Sequence, residues 1–321
     1  MREFFNKLTI AGVLVKNGLE KKTDDKGNDY IGGSLVIRTA DGSENEFNMF
    51  SYRFKKDANG NFTTDENKNY KSYETIIDEY KDIEHYPNEP DVVSITSGSF
   101  TPNDFKDQKT GDIVSTNKFR TTFVNRVEPK DLETTIHDAK FEIEGVIESI
   151  KDEIVKNEPT GNQKIILNAI SQNREGKGKE AKFTPREMFP VTLTVPKELV
   201  EPFSTAGYYE GAFVKFSGKL INTTEKVTTV EKQAFGEDLV KTFDKTIKMF
   251  EVTSGSTPVS IYDVELTDEI ATQLMNKRKL HLSQIKAGVG KDENSSSTSS
   301  ATSTPNAPKA NPFASNPFAS H

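Results

Sequence analysis

Apolar and polar residues alternate with a period of two along much of the chain, which predicts strands. From Leu8 to Val15, Leu8, Ile10, Gly12 and Leu14 alternate with Thr9, Ala11, Val13 and Val15. A polar turn spans Lys21 to Asn28. Tyr30 to Arg38 is rich in β-branched residues and runs into Asp41-Gly42, a hairpin signal. Glu46 to Phe54 sets Phe47 and Met49 among polar partners and then becomes aromatic at Phe50, Tyr52 and Phe54. Tyr73 to Tyr80 carries apolar residues at helical spacing. Val92 to Phe100 and Phe119 to Val127 read as two further strands, joined by a polar arm containing Lys109-Thr110-Gly111-Asp112. The order is three strands, a short helix, then two strands.

The second half repeats that order. Strands are expected at Phe141 to Ile150, Gln163 to Ile170 and Phe189 to Val195, the last with Pro190 at a strand start, where a missing N–H is tolerated. A short helix follows at Lys197 to Phe203, then a long strand from Tyr209 to Asn222 and a closing strand from Thr246 to Thr253. A polar hairpin-like arm, Thr223 to Lys245, stands between the last two strands. The opening strands are alike, with Gly12 and Gly145 each fifth in its segment, where glycine permits a sharp bend. Five strands with a helix between the third and fourth is the OB-fold pattern. An SH3-like barrel or a β-sandwich gives similar strand counts, but the helix position favours OB.

The expected fold class is therefore mainly β: two tandem five-stranded OB-fold-like barrels, a short C-terminal helix and a disordered tail. The expected divisions are residues 1–130, 131–258, a helical extension at 259–287 and a tail at 288–321. The extension has Leu266, Ile270, Leu274 and Leu280 near helical spacing after a Thr267-Asp268-Glu269 start that resembles an N-cap. The tail is Ser, Thr, Asn, Ala and Pro, a composition that cannot bury a core.

Composition narrows the function classes. The 321 residues include no Cys, which excludes disulfides, thiolate metal sites and cysteine nucleophiles. His85, His137, His281 and His321 are far apart and form no metal-ligand pattern. No cofactor is expected. The N-terminal segment reads as neither a signal peptide nor a membrane span, so a soluble, cytoplasmic protein is expected. No Ser elbow or His organises the scattered carboxylates, so no enzyme is expected. Asp57-Ala58-Asn59-Gly60-Asn61 reads as a hairpin turn rather than a calcium loop, Gly176-Lys177-Gly178-Lys179 fails the P-loop template, and Asp24, Asp25 and Asp29 read as an acidic turn. Net charge is −7, whereas phosphate binders usually carry a basic footprint; a basic groove can nevertheless sit on an acidic molecule.

The C-terminus repeats Asn-Pro-Phe, at Asn311-Pro312-Phe313 and Asn316-Pro317-Phe318. A polar tether ending in Phe anchors stiffened by Pro is a device for catching a partner, and two copies raise its effective concentration. Two OB-like units, a Ser/Thr-rich tether and a Pro-Phe tip resemble the plan of single-stranded DNA-binding proteins, here of a bacteriophage type. That resemblance implies coating of single-stranded DNA in replication or recombination, with the tail recruiting other proteins. In the bacterial family an acidic run precedes a terminal Pro-Phe; here no acidic run precedes it, and three residues follow Phe318.

Single strands are held by aromatic faces that stack on bases, with Lys and Arg following the phosphates. On the second and third strands of the first unit the candidates are Tyr30, Arg38, Phe47, Phe50, Tyr52, Arg53, Lys55 and Lys56, and its last strand adds Lys118, Phe119 and Arg120. In the second unit a Gly-interrupted basic loop supplies Arg174, Lys177, Lys179, Lys182 and Arg186, with Lys215 beyond it. RNA is an alternative ligand, since stacking and phosphate contacts do not distinguish it from DNA. A structural or adaptor β-protein, such as a virion component using its barrels for protein contacts, is the rival reading.

Overall fold

A computed structural model describes residues 2–57, 59–176, 181–233, 235, 239–264 and 266–288. The first half contains β1 (Asn6–Asn17), β2 (Glu20–Thr23), β3 (Asp29–Arg38) and β4 (Glu44–Tyr52). A small hairpin, β5 (Phe54–Lys56) with β6 (Phe62–Glu66), leads into α1 (Lys68–Glu79), and β7 (Val92–Lys106), β8 (Ile113–Arg120) and β9 (Asn125–Arg126) follow. The second half contains β10 (Ala139–Val155), β11 (Glu158–Glu175), β12 (Lys182–Val195), α2 (Lys197–Thr205), β13 (Phe213–Glu231), β14 (Leu239–Gly255) and α3 (Asp268–Ala287). The protein is mainly β.

Hydrogen-bonded pairings close two rings of five strands. The first runs β1-β3-β4-β8-β7 and back to β1; the second runs β10-β11-β12-β14-β13 and back to β10. Numbered within each ring, the order is one-two-three-five-four in both. The contact between strands three and five is parallel in both, at Phe47↔Phe119 and Asn48↔Arg120 in the first and Thr194↔Glu251 in the second. In each ring the helix falls between strands three and four. Strands β1 and β10 pair antiparallel from Asn6↔Ile143 to Ile10↔Ala139, so one sheet runs through both rings.

The period-two pattern explains the core. Leu8, Ile10 and Leu14 of β1, Ile31, Leu35 and Ile37 of β3, and Phe47 and Met49 of β4 face inward, as do Ile165 and Leu167 of β11 and Val191 and Leu193 of β12. The two cores are continuous. Phe100 of β7 meets Phe119 of β8, Phe141 of β10 and Phe250 of β14 with ring centroids 5.5, 6.2 and 5.0 Å apart. Gly12 and Gly145 play matching parts: a Cβ on Gly12 would lie 2.2 Å from the carbonyl oxygen of Arg38, and one on Gly145 would lie 2.3 Å from that of Asn168. Each glycine lets strand one press against strand two of its own ring, a constraint of close approach rather than of φ.

Three expectations are corrected. The polar arms are not connections but continuations of strands, with β7 and β8 paired out to Lys106↔Ile113 and β13 and β14 out to Glu231↔Leu239. Their β-branched residues, among them Val114, Thr116, Val227 and Thr228, favour extended backbone even where the segment is polar. Pro190 does not start its strand: it sits inside β12 opposite Asn168, and β12 meets β14 only at Thr194, so the side of Pro190 that lacks an N–H needs no partner. The arm and helix starts also move, β12 beginning at Lys182 and α1 at Lys68 under an Asn67 N-cap that accepts from the Asn69 N–H.

The C-terminal helix forms as its sequence predicts. Thr267 caps it by accepting from the Ile270 N–H, and Leu266, Ala271 and Leu274 pack with Phe4, Ile170, Met188 and Phe213. Farther along, Arg278 forms a bidentate ion pair with Asp104 on the β7 arm and donates to Ser115 of β8. The Asp104 side chain is 1% exposed.

Candidate nucleic-acid interface

Opposite the core, the outer face of β3 and β4 carries a second row of residues. Tyr30 lies across from Tyr52, Gly32 from Phe50 and Ser34 from Asn48. Directly opposed residues share a face of the sheet, so Tyr30, Phe50 and Tyr52 gather on one side. Their ring centroids lie 5.3 Å (Tyr30–Phe50), 6.0 Å (Tyr30–Tyr52) and 4.9 Å (Phe50–Tyr52) apart. All three are half-buried, leaving ring surface open to solvent. Gly32 makes the cluster possible, because a Cβ there would press on the Tyr30 and Phe50 rings at 3.3 and 3.4 Å.

The small hairpin extends the cluster. Phe62 of β6 meets Tyr52 at 4.8 Å, and the Lys56 ammonium lies 5.0 Å from the Tyr52 ring and 4.8 Å from that of Phe62. Phe62 was missing from the sequence candidates; the Asn59-Gly60 turn is the signal that pairs it with Lys56. Lys55 is exposed alongside. Arg53 is ion-paired with Asp29 at 3.4 Å and Glu66 at 3.6 Å and stacks over Phe54 at 5.3 Å. Burial, together with the charge of Asp24 and a hydrogen bond to it, pushes the Tyr52 hydroxyl above its ordinary value.

At the other end of the aromatic row, Asn48 is the register partner of Arg120 on β8, so Arg120 emerges on the same side as Phe50. Arg120 is exposed as a residue although neighbouring atoms crowd its guanidinium; that crowding and the like charge of Arg186 lower its basicity. Arg186 belongs to β12, in the other ring. The register of β11 against β12 slips between Ser171 and Gln172, opposite Arg186, and such a bulge re-aims a side chain. The Asn117 amide donates to the Pro190 carbonyl at 3.2 Å, tying β8 to β12 beside these two arginines. Beyond Arg186 the β11–β12 hairpin carries Arg174 over the Phe183 ring at 5.8 Å, with Lys182 exposed.

Four candidates sit elsewhere than the sequence pattern places them. Phe47 is fully buried: it lies three residues from Phe50, an odd spacing that puts the two rings on opposite faces of the strand. Phe119 turns inward as well, packed between Phe47 at 5.4 Å and Phe100. Arg38 faces outward at the far end of the hairpin but is held by Glu44 at 2.8 and 2.5 Å. Lys215 is ion-paired with Glu142 at 2.5 Å and stacked on Phe5 at 3.9 Å, off the row altogether. Lys118 alternates with Phe119 and is half-buried. Lys177, Lys179 and the tail residues Asn311, Pro312, Phe313, Asn316, Pro317 and Phe318 lie outside the described residues.

Among the described residues, no group of three or more His, Asp or Glu side chains is placed to hold a metal ion, and no helix is long and apolar enough to cross a membrane. The arrangement offers aromatic surface, hydrogen-bonding groups and cations in a line.

A family model described as YorF matches residues 5–288. No curated protein matches the chain. Among solved structures, the chain is similar to the wild-type single-stranded DNA-binding protein from Thermus aquaticus, at 10% identity and a TM-score of 0.42, over 80% of this chain and 95% of that one. A deletion mutant of the same protein gives 12% identity and 0.42, over 81% and 97%. A replication protein A heterotrimer bound to ssDNA gives 16% identity and 0.19, over 77% of this chain and 50% of that one.

Proposed function

The chain belongs to the YorF family, and from its outward aromatic face we propose that it binds single-stranded nucleic acid without strong sequence preference and without chemistry of its own. The observation that carries this reading is the cluster of Tyr30, Phe50, Tyr52 and Phe62, packed ring against ring on the solvent side of the sheet and capped by Lys56. A core does not need it, since the inward row of the same strands already fills the ring's interior. Bases stack on such faces whatever their identity, and cations beside them take the phosphates. The order one-two-three-five-four, the parallel contact of strands three and five, and the helix between strands three and four support an OB-type barrel in each ring. In that fold strands two and three are the usual platform.

The ligand in this reading is single-stranded DNA, in replication or recombination and in the cytoplasm of a bacterial host if the chain is of bacteriophage type; RNA is the alternative the test includes. The duplicated Asn-Pro-Phe tail would recruit partner proteins. Net charge −7 and the exposed Val230, Val240 and Phe243 of the β13–β14 arm favour the rival reading, an adaptor that makes protein contacts. Titrating labelled oligo-dT, oligo-U and a duplex by fluorescence anisotropy at two salt concentrations decides between them. Salt-sensitive binding of the single strands above the duplex is expected; equal or absent binding would leave the adaptor reading.

A further inference from the structure

On the outer side of the sheet, where β1 of the first ring meets β10 and β13 of the second, lies an open cavity of about 160 Å³. A water needs roughly a tenth of that volume, so a phosphate group and its nearest waters fit. Lysines from three strands converge on it: Lys7, Lys140 and Lys219. Lys140 and Lys219 are direct register partners, and like charges placed so are destabilising unless something neutralises them. Lys140 has a partner in Asp138 at 2.5 Å. Among the described residues, Lys7 and Lys219 form no ion pair. The carboxylate nearest Lys7 in register, Glu142, is already taken by Lys215, and Glu251, across from Lys219, makes no ion pair with it.

The shape of the cavity is built in. The β13–β14 register slips between Ser217 and Gly218, which opens the sheet there. Gly218 cannot be larger, because a Cβ would lie 1.9 Å from the Glu251 carbonyl oxygen and 2.6 Å from the Phe141 ring. The hydroxyls of Thr9, Ser217 and Thr253 line the wall, with Thr253 donating to the Ser217 carbonyl at 3.2 Å. Glu142 also lines the hollow, its charge taken up by Lys215. With Lys7 and Lys219 forming no ion pair among the described residues and the Thr9 and Ser217 hydroxyls beside them, the hollow on this chain of net charge −7 has the chemistry of an anion site.

We infer that this junction is a phosphate-binding station, occupied by the backbone of the same nucleic acid after it leaves the aromatic face. The inference rests on the function proposed above. A single strand long enough to reach both places would be held at the first ring by stacking and at the junction by charge.

The test uses the full chain and its Lys7→Gln/Lys219→Gln variant, whose exposed side chains leave the core untouched. Oligo-dT of about 6 nucleotides, within one ring's reach, and of about 35 nucleotides, able to cross both, are titrated across a salt series. The variant is expected to bind the short oligonucleotide as the unaltered protein does. It should lose about tenfold in affinity for the long one, with a salt slope shallower by about 1.4. An unchanged slope and affinity for the long oligonucleotide, or equal losses for both lengths, would overturn the junction as a separate station. If the unaltered protein binds neither length, the functional reading fails on its own. The cavity is then decided by ³¹P line broadening of inorganic phosphate: broadening lost in the variant keeps a phosphate site for a free anion, and none with the unaltered protein removes it.

Discussion

The two rings share one frame and differ in what they turn outward. In the first, the outer row of strands two and three reads Tyr30, Phe50 and Tyr52 about Gly32; in the second, the corresponding row of β11 and β12 reads Ile166 and Asn168 against Pro190 and Thr192. One face is equipped for stacking and the other is not. The second ring instead extends its hairpins, placing Arg174, Lys182 and Phe183 on one arm and Val230 and Phe243 on another. Identical strand order therefore fixes where a platform can be and leaves its chemistry to the outward half of each strand, which packing does not constrain. In the proposed function the first ring is the grip and the second supplies reach and brace.

The largest expected effect tests the brace. Arg278 of α3 holds Asp104 on the first ring's arm while the same helix packs on β12 residues of the second. Removing Arg278 leaves the buried Asp104 carboxylate with only the His281 imidazole, 3.8 Å away, beside it, and breaking such a buried pair costs about 3–5 kcal/mol. Arg278→Ala should lower stability by that order in denaturant unfolding, and Asp104→Leu/Arg278→Met should recover most of the loss. A single-variant loss below about 1 kcal/mol would mean that the helix is not what ties the arm down.

Next comes the asymmetry itself. Truncating a stacking ring costs about 1–3 kcal/mol per base, so Phe50→Ala and Tyr52→Ala should each weaken oligo-dT binding by about 5- to 150-fold. Ile166→Ala, at the matching place in the second ring, should leave affinity nearly unchanged. Comparable losses in the two rings would erase the distinction between grip and brace. Thermal melts of each variant separate lost binding from lost fold.

Much of the frame was legible because it is local. Alternation located the ten strands of the two rings, Thr267 announced its helix, and Gly12 and Gly145 marked the same point in both rings; the short strands β2, β5, β6 and β9 were not read as separate strands. The outward face was half legible. Tyr30, Phe50 and Tyr52 stand on it as their spacing allows, but Phe47 had the right composition at the wrong parity, and only counting by twos from Phe50 separates it. Other features left no local trace. Arg278 sits in the run Lys277-Arg278-Lys279, which reads as solvated charge, yet its partner Asp104 is 174 residues away. The fusion of the rings through β1 and β10 is likewise a pairing across more than a hundred residues that neither strand's pattern encodes.

Acid should act on the β10–β11 hairpin of the second ring in particular. Glu153 of β10 is held at a pKa of about 2, chiefly by the hydrogen bond from Lys164 and then by those from Asn162 and Thr160. Its folded value lies below the ordinary value of 4.5, so the stability it contributes is fully present above pH 4.5 and lost as pH falls toward 2. Glu153→Gln should cost about 1–2 kcal/mol near neutral pH, and the gap from the unaltered protein should narrow by pH 3. A gap of constant size across that window would assign the loss to packing rather than to charge.

The smallest effect joins the rings at Arg120 and Arg186. Burial and then the like charge of Arg186 lower the basicity of Arg120, and Arg186 is only loosely paired, with Glu187 at 3.7 Å, so the two guanidiniums repel each other in the free protein. A phosphate lying between them would relieve that repulsion. Arg120→Gln and Arg186→Gln should each reduce the salt slope of oligo-dT binding by about 0.7 and weaken binding about threefold at low salt, without lowering the melting temperature of the free protein. Phe50→Ala should do the reverse, weakening binding while leaving the slope intact, because stacking releases no counterions. Lys215→Gln is the control in the second ring: its ammonium is already neutralised by Glu142, so the slope should not move. Should Lys215→Gln flatten the slope as much as Arg186→Gln does, the change would not be specific to the line from Tyr52 through Arg120 to Arg186, and that line would not be the path.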